Sequence, residues 1–236
     1  MFSINNTWLA AQSIFFIFFT SSSVSYFLCW MKEIPFTCLS SKFVPSLENM
    51  NDQEKKRVVQ TKEKKGEKEI NWYSLSILAT GNTVCLTYLL DTNSFISFQE
   101  NHVHVYVFYY LPIRLLMYFL WIECVFYGIH RLLHQPPFYH WIHKKHHENY
   151  YVSPMNAFHL SFIESGVIVL NQNLPFFFLS FTFQEYLFLL YVYFTLEYLS
   201  HTNAFFDHHF IHHKYYKYNY CIVFPFFDWM FGTYKE

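Results

Sequence analysis

The most distinctive feature of this chain is a set of histidines concentrated in three short motifs. The chain has 14 histidines among 236 residues, and 12 of them fall between residues 130 and 213. The motifs are HRLLH, HKKHH and HFIHH, which place histidines at His130 and His134, at His143, His146 and His147, and at His209, His212 and His213. Neutral imidazole binds iron, zinc, copper and nickel near neutral pH. The pattern therefore predicts a metal-binding protein.

The spacing within each motif predicts how the imidazoles are presented. Residues three or four apart share one face of a helix, so each motif is expected to direct several imidazoles at one locus. Pro136 and Pro137 are expected to end the first helix just after His134, which lets the chain turn before the second motif. Eight imidazoles exceed the four ligands of a structural zinc ion and suit two metal ions that keep open positions.

Single residues near the motifs are candidates for a supporting role. Glu123 lies two helical turns before His130 on the same face, where it could orient an imidazole or be a polar residue near a membrane interface. The other candidates for this supporting role are His159, Glu164 and His208. We expect His102, His104 and His140 to be structural, since a lone histidine on an apolar segment is usually not a ligand.

Other chemistries lack their motifs in this sequence. The chain has only five glycines, with no glycine-rich phosphate loop and no GxSxG nucleophile elbow. The net charge is −1, and no basic surface interleaved with aromatic residues suggests a nucleic-acid partner. The histidines are therefore expected to act as metal ligands rather than as general bases.

The composition indicates what surrounds the histidines. Hydrophobic residues make up 53% of the chain and charged residues only 14%, against about 25% charged in an ordinary soluble domain. That is too little charge to cover a water-facing surface, so we expect an all-α, multi-span integral membrane protein. The five cysteines form no CxxC pair, which predicts free thiols. They are Cys29, Cys38, Cys85, Cys124 and Cys221.

Four apolar stretches are long enough to cross or enter a bilayer. They are residues 8–30, 70–90, 103–129 and 160–200. The first is predicted to be a signal anchor, because no Lys or Arg precedes it. The last is long enough for two helices that turn near Asn171–Pro175 or near Gln184–Glu185, and it could form a re-entrant or interfacial hairpin. Arg114 lies inside the third stretch, which predicts either a position near the membrane interface or a kink after Pro112.

A charged segment sets the expected orientation. Residues 46–69 hold seven Lys or Arg residues and are predicted to be a solvated cytoplasmic linker. The spans then alternate so that all the histidine motifs meet on the cytoplasmic face. We therefore expect an N-terminal membrane anchor at 1–45, the charged linker at 46–69 and a catalytic domain at 70–236.

The order of the motifs resembles that of a known family. HxxxH, then HxxHH, then HHxxHH followed by an aromatic run and DWMFGT, is similar to the fatty acid hydroxylase superfamily, which includes sterol desaturases, sterol 4-methyl oxidases and cholesterol side-chain hydroxylases. The resemblance covers about residues 120–234. Its most specific parts are FYGIHRLLH, HKKHHEN and HHFIHHKYYKYNYCIVFPFFDWMFGT.

The resemblance implies a helical, membrane-embedded, non-haem di-iron oxygenase, with zinc as the alternative ion in purified protein. It implies an oxidoreductase of lipid metabolism, a monooxygenase in or near sterol biosynthesis, in the endoplasmic reticulum membrane, with electrons from cytochrome b5 and its NADH reductase. It also implies a ninth ligand, His201, in the motif SHTN after the last hydrophobic helix. The nine implied metal ligands are His130, His134, His143, His146, His147, His201, His209, His212 and His213.

Two departures from the family pattern leave alternatives open. Many sterol-acting relatives have His-Pro-x-Glu where this chain has Ser161-Phe162-Ile163-Glu164, and the serine resembles the cholesterol side-chain hydroxylases instead. Only seven residues separate His201 from His209, a shorter loop than in the relatives. The leading interpretation is a hydroxylase of a lipid, a sterol in preference to a fatty acid. The alternatives are a desaturase of the same superfamily and a catalytically degenerate membrane protein that still binds metal.

Overall fold

The computed structural model describes residues 3–32, 71–95, 103–148, 152–202 and 205–236, with side chains in the third range from residue 109 onward. Helices and short helical turns form these ranges, and no strand occurs in them. The prediction of an all-α protein is therefore confirmed. The predicted charged linker at 46–69 lies outside the described residues.

Eight helices occur in the described ranges. They are α1 Ile4–Met31, α2 Trp72–Asp91, α3 Val103–Leu133, α4 Phe162–Asn173, α5 Pro175–Phe178, α6 Phe183–Ser200, α7 Asp207–Tyr215 and α8 Phe226–Met230. Three segments are long and apolar enough to cross a membrane, namely Ile4–Met31, Trp72–Asp91 and Tyr109–Leu133. They correspond to the first three predicted spans, although α3 continues four residues past the predicted end at 129 and passes through Pro112 without a break.

The fourth apolar stretch forms a hairpin of shorter helices. The chain leaves α4 at Asn173, which agrees with a turn near Asn171–Pro175; the other option is wrong, because Glu185 lies in the first turn of α6. Thr182 begins α6 with reciprocal capping bonds. Its Oγ1 accepts from the Glu185 amide at 3.1 Å, and the Glu185 carboxylate accepts from the Thr182 amide at 2.7 Å.

Contacts between helix ends show which way the helices run. The Asp91 carboxylate at the end of α2 accepts from the Ser3 amide at 2.9 Å and from Asn6 Nδ2 at 2.6 Å, so α1 and α2 run in opposite directions. Ser74 near the start of α2 donates to the carbonyl of Leu160 at 2.8 Å, just before α4 begins. Further along the chain, α2 again contacts α4, and the two helices therefore run in the same direction.

A glycine permits the close approach of α2 and α4. A Cβ atom placed on Gly81 would lie 2.8 Å from a Val169 methyl carbon, a distance that real Cβ contacts essentially never show. Any larger side chain at this position would push the two helices apart.

The helices α3 and α6 both run toward the histidines. Arg114 in α3 lies beside the start of α6, where it donates to the Ser180 carbonyl and pairs with the Glu185 carboxylate at 3.6 Å. At their other ends, α3 carries His130 and α6 is followed by His201. Arg114 is therefore a paired cation, while a kink after Pro112 stays a prediction. The alternating directions agree with the predicted topology, while the cytoplasmic assignment stays a prediction.

The N-terminal helix is part of the same core as the later helices. Ala10, Ile14 and Ile17 of α1 are buried in one cluster with side chains of α2, α3, α4 and α6. Burial of apolar surface between these helices stabilises the bundle. The division into an anchor and a catalytic domain stays a prediction, but α1 packs as a member of the bundle.

Candidate metal centre

The structure brings all nine predicted ligands together at one end of the bundle. They form two groups, and within each group the potential ligand atoms all lie within 4.8 Å of one another. Group A consists of His130, His134, His143, His147 and His212, and group B consists of His146, His201, His209 and His213. All nine are buried except His134, which is half-buried. Such groups could each hold a metal ion.

Each motif with adjacent histidines divides between the two groups. His146 belongs to group B and His147 to group A, while His212 belongs to group A and His213 to group B. Each motif does direct two imidazoles, four residues apart, at one group, as expected; these pairs are His130 with His134, His143 with His147, and His209 with His213. The prediction that the third histidine of the second and third motifs shares that locus is wrong, because it joins the other group. Neighbouring residues on an α-helix point about 100° apart, so a His-His pair can supply one ligand to each of two adjacent sites.

Different local structures present the three motifs. His130 lies in the last turn of α3 and His134 lies just past its end, as expected from Pro136 and Pro137. The third motif lies on the helix α7, as predicted. The second motif does not form an α-helix, because His143 ends a π-helical turn, Tyr139–His143, and the next two histidines begin a 3₁₀ turn, His146–Glu148.

His201 reaches group B in spite of its short connection to α7. It is the residue that caps the C-terminal end of α6, and its ring centroid lies 4.9 Å from that of His209 and 5.0 Å from that of His213. The seven-residue separation noted in the sequence therefore does not misplace this histidine. The two groups also adjoin each other, since the ring centroids of His147 and His213 are 4.5 Å apart.

The outer nitrogen of five histidines is held by an oxygen. The contacts are His130 Nδ1 with Tyr220 O at 2.7 Å, His209 Nδ1 with Cys221 O at 3.1 Å, His212 Nδ1 with Tyr218 O at 2.6 Å, His201 Nδ1 with Glu197 O at 2.9 Å and His143 Nδ1 with Glu164 Oε1 at 2.5 Å. Four of the five partners are carbonyl oxygens, which can only accept, so in these four histidines Nδ1 carries the proton and Nε2 keeps its lone pair. This arrangement orients an imidazole as a metal ligand through Nε2.

The inner nitrogens converge without satisfying one another. In group A, His143 Nε2 lies 3.1 Å from His130 Nε2 and 2.9 Å from His147 Nε2. The buried Nε2 atoms of His134, His201 and His213 have no hydrogen-bond partner. Lone pairs that face each other at such distances repel unless a cation lies among them. The residues present therefore fit metal ions.

Burial keeps these imidazoles neutral, which is the form that binds metal. It lowers the pKa of His143 to about 3 and the pKa of His201 to about 4. Burial, followed by repulsion from neighbouring imidazoles, holds the pKa values of the other group members outside the helical span well below the usual 6.5. They are His134, His146, His147, His209, His212 and His213. The groups are therefore ready to bind a cation at neutral pH.

Two of the predicted supporting residues, Glu164 and Glu123, have different kinds of hydrogen-bond partner. Glu164 contacts a group A imidazole directly, through the 2.5 Å bond to His143. Glu123 contacts no imidazole; its carboxylate accepts from three consecutive backbone amides, those of Ile222, Val223 and Phe224. Glu123 therefore does not bond to an imidazole itself, because the C-terminal segment lies between them, and the role left open for it in the sequence stays a prediction.

The remaining histidines stand outside both groups. His159 is buried, with its Nε2 3.5 Å from Glu148 Oε2. His208 is buried on α7, and His140 is exposed; neither belongs to group A or B. The structural role expected for His140 therefore agrees with its position. His102 and the side chain of His104 lie outside the described part of the chain.

The sequence analysis missed the partners that hold the outer nitrogens. Three of the five are backbone carbonyls of residues 218–221, and a carbonyl has no signature in the sequence. It also missed Asp228, whose carboxylate accepts from the amides of Tyr220 and Cys221 at 2.8 Å each. The signals were its position as the single charged residue in the run FPFFDWMF and as the first residue of DWMFGT, which the family resemblance includes.

A groove lies on another part of the bundle. It has a cavity volume of about 400 Å³ and lies between α1 and α6, with Phe16, Ile17, Leu187 and Tyr191 in its walls. None of the residues that line it is a histidine. Tyr191 is about 15 Å along α6 from His201, at 1.5 Å per residue. This groove is therefore separate from groups A and B.

Comparison with known proteins gives one match. A family model described as fatty acid hydroxylase matches residues 115–233, which is half of the chain. The matched range includes every member of groups A and B. No curated protein and no solved structure gives a significant match.

Proposed function

Because the chain belongs to the fatty acid hydroxylase family, we propose that it is a membrane-bound non-haem di-iron oxygenase that hydroxylates a lipid, with sterols as the favoured substrate class. Family membership implies an oxidoreductase of the hydroxylase or desaturase type. The observation that carries the proposal is the pair of buried histidine groups, five and four in number, at the end of apolar helices.

Groups A and B would each hold one iron. Neutral imidazoles leave the positive charge of an iron ion uncompensated, and iron bound in this way would supply the activation of dioxygen. Histidine ligands in three segments and at the ends of two long helices would fix the positions of the two ions. Zinc is the other ion that the same ligands accept, and it is the alternative expected in purified protein.

The protein's own residues would position and protect the chemistry. The carbonyl and carboxylate partners of the Nδ1 atoms keep each imidazole in one orientation. The apolar helices that surround the groups would receive a lipid and exclude water. Hydroxylation converts C–H to C–OH while the second oxygen atom of dioxygen leaves as water, which consumes two electrons and two protons.

The electrons would come from a separate donor. We propose cytochrome b5 with its NADH reductase, at the endoplasmic reticulum membrane, with the histidine groups on the cytoplasmic side. The support is the family resemblance and the seven basic residues of 46–69, which favour a cytoplasmic position for that segment. Lys144 and Lys145 adjoin the second histidine motif, where they would face lipid headgroups or an acidic donor.

Two alternatives remain within the same family. A desaturase would remove a second hydrogen in place of returning the hydroxyl group, and the same ligands would serve it. A catalytically degenerate relative would keep the metal and lose turnover. The short connection after His201 was the argument for degeneracy, and the position of His201 in group B weakens that argument.

The first test is the metal content of detergent-purified protein, measured by mass spectrometry. We expect about two metal ions per chain in the wild-type protein. The variant His146→Ala/His147→Ala removes one ligand from each group and is expected to lose most of the metal. Little or no metal in the wild-type protein would overturn the oxygenase proposal.

The second test separates the reactions. Wild-type protein is supplied with oxygen, a reducing system and either sterols or fatty acids, and the products are analysed by mass spectrometry. An added oxygen atom supports hydroxylation, and the loss of two hydrogens supports desaturation. Normal metal content with no oxygen-dependent product supports the degenerate relative. Products from fatty acids alone would overturn the sterol assignment.

A further inference from the structure

The C-terminal segment of residues 218–222 lies against both histidine groups. The ring of Tyr220 contacts the imidazoles of His130, His134 and His212, and the backbone of the segment bonds to both groups. Its carbonyl oxygens accept from His212, His130 and His209, through Tyr218, Tyr220 and Cys221 respectively. Two of these histidines belong to group A and His209 belongs to group B. The orientation of three imidazoles in two groups therefore depends on how firmly this one segment is held.

Two buried carboxylates hold the amides of the same segment. Asp228 accepts from the amides of Tyr220 and Cys221. Glu123 accepts from the amide of Ile222 at 3.0 Å and from the next two amides at 2.8 and 3.0 Å. Five consecutive amides therefore bond to two carboxylates that come from separate parts of the chain. A charged acceptor makes these bonds stronger than those to a neutral carbonyl.

The carboxylates and the histidines bond to opposite sides of the same peptide groups. In a planar trans peptide, the carbonyl of one residue and the amide of the next point in opposite directions. The peptide between Tyr220 and Cys221 therefore bonds to Asp228 at its amide and to His130 at its carbonyl. The following peptide, before Ile222, bonds to Glu123 at its amide and to His209 at its carbonyl.

The third peptide provides an internal comparison. The carbonyl of Tyr218 accepts from His212, but the amide of the same peptide, on Asn219, donates to the backbone carbonyl of Thr233 at 2.8 Å. His212 therefore has the same kind of carbonyl partner, but the amide of that peptide group does not bond to a carboxylate. Hydrogen bonds in a chain polarise one another, so a carboxylate at the amide end strengthens the acceptor at the carbonyl end.

We propose that Asp228 and Glu123 are positioning residues that act through one peptide group each, Asp228 on His130 of group A and Glu123 on His209 of group B. Each carboxylate holds its peptide in place and increases the hydrogen-bond acceptor strength of the carbonyl that orients the imidazole. The inference rests on the proposed function in that the histidine groups are taken to bind metal.

Hydrogen bonds from neighbouring residues fix the position of Asp228. Thr233 Oγ1 donates to Asp228 Oδ1 at 2.7 Å, and the Thr233 amide donates to the Asp228 backbone carbonyl at 2.8 Å. Tyr127 of α3 contacts Thr233 through its hydroxyl at 3.1 Å. The carboxylate is fully buried and joins α3, the 218–222 segment and the end of the chain.

The test measures the metal affinity of each group in detergent-purified protein, with Co²⁺ as the probe and a competing chelator. Asp228→Asn is expected to weaken binding at group A by about 10- to 100-fold and to leave group B near its wild-type affinity. Glu123→Gln is expected to do the reverse. His134→Ala and His201→Ala identify which transition in the titration belongs to which group, because each removes a ligand of one group only.

The matched control is Glu185→Gln. Glu185 is also a buried carboxylate that accepts from a backbone amide, but it lies at the other end of α6 beside Arg114. This variant is expected to lower the unfolding temperature and leave the Co²⁺ titration unchanged. If Glu123→Gln does not fold, Glu123→Asp replaces it, since it keeps the charge and shortens the reach, and weaker binding at group B is still expected.

The outcomes separate this inference from the proposed function. Failure of the wild-type protein to bind metal overturns the proposed function. Suppose that the wild-type protein binds two metals and that each variant binds them with affinities lowered equally at both groups, or lowered at neither. That result overturns the positioning role and leaves the proposed function standing. A general loss of stability would not weaken one group selectively, so a selective loss supports the inference.

Discussion

Two regions of the bundle bury polar side chains, and they do so in different ways. Between the middle of α2, the end of α4 and the start of α6, a polar group that we call the amide cluster is formed by Asn82, Gln172, Asn173 and Tyr186. Asn173 Nδ2 donates to Asn82 Oδ1 at 2.8 Å, Asn82 Nδ2 donates to Gln172 Oε1 at 3.2 Å, and the Tyr186 hydroxyl donates to Asn173 Oδ1 at 2.7 Å. In this region donors meet acceptors. In groups A and B, the inner nitrogens face one another as acceptors.

The difference distinguishes a polar cluster that stabilises the fold from one that binds a ligand. In the amide cluster, hydrogen bonds among three helices offset most of the cost of burying polar groups, and Gln172 Nε2 is the one amide nitrogen of these side chains without a partner. In groups A and B five outer nitrogens are held by oxygen atoms, and the converging inner nitrogens require a cation. The same amount of burial therefore has opposite consequences in the two regions.

The largest expected effect is the loss of metal in His146→Ala/His147→Ala. The variant removes one ligand from group B and one from group A. We expect the metal content to fall to a small fraction of the wild-type value, and the helical content measured by circular dichroism to be retained. Metal content equal to that of the wild-type protein would show that the histidine groups are not the metal-binding region.

A lower pH is expected to destabilise the fold through the histidine region and not through the amide cluster. Unfolded histidines bind protons at about pH 6.5, whereas burial lowers the pKa of folded His143 to about 3 and that of His201 to about 4. Their contribution to stability is fully present above pH 6.5 and is lost as the pH falls toward 4, by at most about 1.4 kcal/mol per pH unit for each histidine.

Thermal unfolding of chelator-treated protein between pH 7 and pH 4 measures this effect. The wild-type protein is expected to lose stability as the pH falls. Asn173→Ala is expected to show the same slope at lower overall stability, because amides do not titrate in this range. A flat profile in the wild-type protein would contradict neutral buried imidazoles.

Glu164→Gln is expected to have an intermediate effect. Glu164 accepts from His143 Nδ1 at 2.5 Å, and an amide side chain offers a weaker acceptor in place of the carboxylate. Metal affinity at group A is expected to fall by about 10- to 100-fold, which is about 1.4 to 2.7 kcal/mol. Chelator competition followed by mass spectrometry measures the change, with Glu185→Gln as the control. An unchanged affinity would limit Glu164 to a structural role.

Asn173→Ala is expected to have the smallest effect on the metal content and a moderate effect on the free energy of unfolding. It removes the donor to Asn82 and leaves the Tyr186 hydroxyl without its acceptor. We expect a cost of about 1–2 kcal/mol in the free energy of unfolding and an unchanged metal content. Ser76→Ala is the control, since Ser76 bonds only within its own exposed turn, to the Trp72 carbonyl. A loss of metal in Asn173→Ala would remove the distinction between the two regions.

Much of the fold was predictable because it depends on local composition. The three candidate spans follow from runs of apolar residues, and the end of α3 follows from Pro136 and Pro137. The non-α-helical form of the second motif was not predictable. HKKHH satisfies the spacing of a helix, but His143 ends a π-helical turn and the next two histidines begin a 3₁₀ turn. Tertiary context overrides the local pattern at this motif.

The residues that could bind metal were identifiable from the sequence, because imidazole is a ligand wherever the chain places it, and the spacing of the three motifs was sufficient to identify eight of the nine histidines. Only the tertiary structure decided how they divide into groups A and B. It also decided that Glu123 supports a backbone segment rather than an imidazole, and that Asp228 shares this role. The physical reason is that backbone carbonyls and amides are the same in every residue, so their partners depend on how distant segments pack together.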